Sequence, residues 1–163
     1  MHVTRATVER EHEWVLDRAP VTVALLNDVR RELGHYFETR VEPVTEIAYR
    51  DAVDDVFADG DLGVNVAALV GLLRNLDVEY DYPGFVIDEL LGRELAAMIA
   101  GGQPLRLLGE ATFHFADIMH HPPDGTAGTD DLDAALAAGF QTRLPGWEWT
   151  ASESPFGIDG NRE

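Results

Sequence analysis

A chain of 163 residues with 30 acidic side chains against 12 arginines, and so a formal net charge of -18, presents nucleic acid with a field of the wrong sign. It has no cysteine, which rules out disulfides, zinc–thiolate centres and thiol nucleophiles, and no lysine, which rules out Schiff-base and phosphate-loop lysines. The apolar fraction of 45% is enough for a packed core, so the acidity coats a globule of one domain rather than a disordered tail.

The apolar spacing predicts helices along most of the chain. The first, over 4–17, puts Val8, His12 and Val15 on one face. Pro20 suits the first turn of a second, over 21–40. Its stripe is Leu25, Leu26, Val29, Leu33, Tyr36 and Phe37, with Asn27, Arg31, His35 and Glu38 opposite. A third helix over 44–58 faces inward through Ala48, Tyr49, Ala52, Val53, Val56 and Phe57, and Asp59-Gly60-Asp61 then makes a turn. The segment 62–76 is apolar nearly all round, which predicts a helix at the centre of the fold. Val78, Tyr80 and Tyr82 alternate over 77–82, giving an extended linker, or alternatively a short edge strand. Pro83 opens a fifth helix that stops at Gly101-Gly102. A sixth runs from Pro104 to a point before Pro122-Pro123. Thr129 caps a seventh, ending near Gly139, with Asp130 and Asp131 at its positive end. The expected fold is therefore an all-α single-domain bundle of six or seven helices over 1–141. An irregular tail over 142–163, carrying Trp147, Trp149 and Phe156, is expected to dock on it.

The sixth helix carries the best candidate site. Arg106, Glu110, His114, Asp117 and His121 recur at helical spacing on one side, opposite Leu108, Ala111, Thr112, Phe115, Ile118 and Met119. Imidazole and carboxylate together suit zinc, iron, nickel or manganese, and Glu110 could complete the shell or serve as a general base. The simpler reading is a solvated face, because one helix seldom closes a metal site alone. Glu9-x-x-His12 and Glu32-x-x-His35 repeat the element used by di-iron bundles. A hairpin turning near Arg18 would set His12 and His35 about 15 Å apart along the axis, too far to share a metal. His12, on an apolar face, is expected to be a hydrogen-bonded core residue. The acidic run from Asp55 fails the calcium-loop pattern, with Phe57 and Val66 at two ligand positions. Glu94 shares a face with Ile87, Leu91 and Met98 and is expected to pair with an arginine or to lie at a helix boundary. No glycine-rich phosphate loop and no serine elbow is present.

In composition the chain resembles cytoplasmic proteins of halophilic archaea. Arginine without lysine, on so acidic a surface, is what molar salt permits, since the Debye length falls there to about 3 Å. That resemblance implies a cytoplasmic protein and names no activity. Residues 1–10 lack the apolar core of a leader, and the longest apolar run, 64–73, is far too short for a membrane span. With no catalytic motif, and with Trp14 off the main stripe of its helix, the expected function is a non-enzymatic module. It would bind itself, as a homodimer, or a protein partner, and need no cofactor. Trp147 and Trp149 are candidate partner contacts. The alternative is a hydrolase or binding protein dependent on a divalent transition metal, held by Glu110, His114, Asp117 and His121.

Overall fold

The structure, a computed structural model, describes residues 2–76, 81–101, 105–119 and 129–146, with backbone alone at 81–89, 117–119 and 129–131. Seven helices form among them: α1 (Arg5–Asp17), α2 (Ala19–Tyr36), α3 (Glu46–Ala58), α4 (Gly60–Arg74), α5 (Asp81–Ala100), α6 (Leu105–Met119) and α7 (Thr129–Gln141). The all-α expectation holds, and each helix lies where the apolar spacing placed it, to within a few residues at the ends. No single helix among the described residues is long and apolar enough to cross a membrane.

Local chemistry sets the ends. Thr4 caps α1 by accepting from the Thr7 amide at 3.2 Å, and Thr7 returns the bond to the Thr4 amide at 3.2 Å. Arg18 alone separates α1 from α2, with helical dihedrals and Pro20 in the next first turn. The chain bends there instead of reversing. α1 packs on α3 and α4, while α2 packs chiefly on α7, α6 and α3, so the two helices do not pair as a hairpin. α2 stops at Tyr36, four residues early. The Thr39 amide closes it onto the Gly34 carbonyl at 2.9 Å, and Glu38 takes a left-handed conformation. The linker that follows is fastened to α2 by Asn27, whose amide donates to the Val44 carbonyl at 3.1 Å and whose carbonyl accepts from the Val44 amide at 2.7 Å. Thr45 caps α3 by accepting from the Ala48 amide at 3.1 Å.

α5 begins at Asp81, so residues 81 and 82 are helical rather than extended; 77–80 lie outside the described residues. Gly101, at φ +82°, ends α5 as its position predicts, its amide bonding Ala97 at 2.9 Å.

The centre of the fold belongs to α7, not to the strongly apolar α4. Every residue from Leu132 to Thr142 is buried, and α7 touches α2, α3, α4, α5 and α6. The reason is steric. Ala134, Ala135, Ala137, Ala138 and Gly139 let five helices approach one axis, whereas the bulkier α4 buries Val66, Ala67, Val70 and Leu73 and leaves Val64 and Leu72 at the surface. Beyond α7, Leu144 returns to the core and Pro145 and Gly146 run beside α2 and α3. The rest of the expected docked tail, 147–163, lies outside the described residues.

Candidate functional site

α6 presents the expected two faces, turned slightly from the sequence reading. Leu108, Thr112, Phe113 and Ala116 are buried toward α5 and α7, and Phe113 also lies 5.9 Å from the Arg93 guanidinium. Ala111 and Phe115, also of the apolar stripe, are partly buried and sit at the core's margin. Arg106, Glu110 and His114 are exposed, the last two one turn apart on the outward face. Asp117 continues the helical backbone, but its side chain, and all of His121, lie outside the described residues. Among the described residues no three His, Asp or Glu side chains converge as a metal site.

The margin of α6 meets the C-terminal end of α2, where rings assemble across the two helices. Phe115 lies 5.5 Å from Tyr36 between ring centroids. Tyr36 contacts His35 at 6.3 Å, and Phe115 contacts His114 at 5.8 Å. Tyr36 nonetheless leaves 67% of its surface to water, and Leu107, two turns from His114 along α6, is exposed as well. Tyr36, expected within the inward stripe, falls on the last turn of α2, which stops early, and is exposed there. An aromatic surface of this kind, apolar in body and polar at the tip, is suited to contact with another protein surface.

The other histidine motifs come apart. His12 is half-buried, stacked on Phe57 at 4.6 Å and bonded through Nε2 to the Asp54 carboxylate at 2.7 Å. His35 lies at the far end of α2. Glu9-x-x-His12 and Glu32-x-x-His35 therefore serve different surroundings. Glu94 is exposed, not sunk in an apolar stripe. Trp14 is taken up within the chain, against the core and 4.5 Å from the Arg74 guanidinium, so it gives no reason to invoke a partner.

Arg30 escaped notice in the sequence, although its position was a signal. It falls between Leu26 and Leu33 on the inward side of α2 and is only 2% exposed. Its guanidinium donates to the Glu42 carbonyl at 3.0 Å, to the Gln141 amide oxygen at 2.7 Å and to the Pro145 carbonyl. Burial lowers its pKa to about 10, so it stays charged at neutral pH. It ties the 37–45 linker, the end of α7 and the 145–146 segment to one helix.

Fold and surface together define an all-α bundle with an aromatic edge between two helices and charged side chains spent on holding its segments together. The chain belongs to the family described as Domain of unknown function (DUF7984), whose model matches residues 1–160. No curated protein and no solved structure matches it.

Proposed function

We propose that the protein is a non-enzymatic, salt-adapted cytoplasmic module that associates with itself, as a two-fold dimer, through the α2–α6 edge. The observation that carries this reading is Tyr36, packed on Phe115 yet two-thirds exposed. A two-fold contact would stack this edge on its own copy and bury rings that now meet water. The charge of -18 on each copy opposes the approach, and molar salt removes that opposition. In molar KCl, light scattering over a range of protein concentrations is expected to give a dimer, and Tyr36→Ser a monomer of unchanged helicity. A wild-type monomer at every concentration would defeat the reading.

The alternative, a divalent-metal-dependent hydrolase or metal-binding protein, draws on Glu110 and His114 sharing one exposed face of α6. It requires ligands beyond those two. A stoichiometric transition metal in protein purified without a histidine tag, with melting raised by added zinc or manganese, would replace the dimer reading with this one.

A further inference from the structure

The outward face of α6 carries two metal-ligating side chains beside the aromatic edge. Glu110 and His114 are both exposed and stand one helical turn apart, a spacing that sets Cβ atoms about 5–6 Å from each other. Neither makes a hydrogen bond or an ion pair among the described residues. His114 touches Phe115, with ring centroids 5.8 Å apart, and Phe115 packs on Tyr36 at 5.5 Å. The pair therefore adjoins the rings that make the dimer edge. Two such ligands are half a shell, since zinc in a closed site takes four.

We propose that a divalent transition metal of the zinc class binds on the two-fold axis of the dimer, held by Glu110 and His114 of both copies. The inference rests on the dimer reading, because one copy supplies only two ligands. Symmetry supplies the other two without a new residue: in an isologous contact, a group near the axis meets its own image. Electrostatics gives the reason for a cation. Stacking the rings carries the Glu110 carboxylate of each copy toward the other, on bodies that each bear -18. Salt relieves the long-range repulsion, but it screens poorly where the contact displaces water. One divalent ion offsets both carboxylates there. Two imidazoles beside two carboxylates suit zinc. Magnesium and calcium take oxygen ligands and would leave the imidazoles unused.

The test uses the full chain without a histidine tag, stripped of metal by a chelator and returned to molar KCl. The protein concentration at which half the chains are dimeric is read by sedimentation, with and without added zinc. Zinc is expected to lower that concentration about ten-fold or more, and to be bound at one ion per two chains. Magnesium is expected to do neither. In Glu110→Gln and in His114→Ala, with helicity checked by circular dichroism, the ratio of the two concentrations is expected to fall to one. Tyr36→Ser should bind zinc several-fold more weakly, because coupling between metal and dimer is reciprocal. A dimer that zinc leaves unchanged would overturn this inference and leave the dimer reading standing. A zinc effect that survives both Glu110→Gln and His114→Ala would overturn it as well, and so would one ion per chain on a monomer. Protein that stays monomeric with and without zinc would overturn the dimer reading and this inference with it.

Discussion

Glu11, Arg30 and Asp133 are charged yet almost wholly buried, and each joins segments far apart in the chain. Glu11 on α1 accepts from Arg74 at the end of α4 at 2.6 Å. Asp133 on α7 accepts a bidentate pair from Arg18, at 2.9 and 2.6 Å, and so locks the α1–α2 bend to the central helix. The two partners differ in exposure, 26% for Arg18 and 1% for Asp133, and this makes the pair asymmetric. Arg18→Ala takes the guanidinium from a carboxylate sealed away from water, and is expected to cost about 3 kcal/mol. Asp133→Ala should cost less, since the Arg18 guanidinium already meets water at its edge. Urea unfolding in molar KCl would show this as a larger drop in midpoint for Arg18→Ala at unchanged slope. The exposed Arg31–Asp28 pair is the control, and its loss should change nothing measurable. Tyr49 adds a pH dependence. Its phenol, buried and donating to the Val15 carbonyl at 3.3 Å, is pushed above the ordinary value of 10.0 first by burial and further by the Asp133 charge. The unfolded phenol therefore ionises first. The stability is fully present below about pH 10 and is lost as pH rises above it toward the folded value. Tyrosinate absorbance should show Tyr49 ionising last, together with unfolding. Tyr49→Phe should flatten the alkaline fall while lowering neutral stability by about 1 kcal/mol.

At the level of helices, the decisive contact is the crossing of α5 and α7. A Cβ on Gly139 would lie 2.8 Å from Ile99 Cβ and within 3.1 Å of two more of its side-chain carbons. Ile99 is fully buried and β-branched, with no room to turn aside. Gly139→Ala is expected to cost about 1–3 kcal/mol by overpacking, read as a lower melting temperature. Gly60→Ala, at an open helix start, should leave melting unchanged or raise it slightly. This crossing also shows which parts of the fold can be read from residues in order. Periodicity located all seven helices because each has an apolar face, a local property. Apolar content misplaced the centre. α4 is richer in large side chains, but centrality depends on how many neighbours can close on an axis, and small residues decide that. The run Ala134–Ala138 with Gly139 carried the signal. The candidate surface was legible only in part. Glu110 and His114 do share an exposed face, but Tyr36 reads as inward by spacing and is instead exposed on the last turn of α2. Arg30 was hidden for the opposite reason: its three acceptors come from residues 42, 141 and 145, distant in sequence and joined only by folding.

For the molecule as a whole, charge bears on the fold and on the proposed dimer alike. A net charge of -18 on 163 residues means that the compact state gathers like charges that the unfolded chain spreads apart. Screening acts on the exposed carboxylates and hardly on buried pairs such as Arg18–Asp133, so salt should stabilise through the surface alone. Helicity and the urea midpoint are therefore expected to rise from dilute buffer to molar KCl. Choline chloride at equal ionic strength should give a similar gain if screening is the cause. A midpoint equal in dilute buffer and in molar KCl would show that the acidic surface has nothing to do with brine. The proposed dimer sharpens the expectation. It brings two bodies of the same sign to within a few ångströms, so the repulsion it must overcome is intermolecular and adds to that within each copy. As KCl is diluted, dissociation should come before unfolding, with a window in which light scattering reports a monomer while circular dichroism still reports full helicity. Tyr36→Ser should show the unfolding step alone, at the same salt as the parent monomer. If dissociation and loss of helix instead coincided in the parent protein, the edge would be part of the folding core rather than a contact between completed folds.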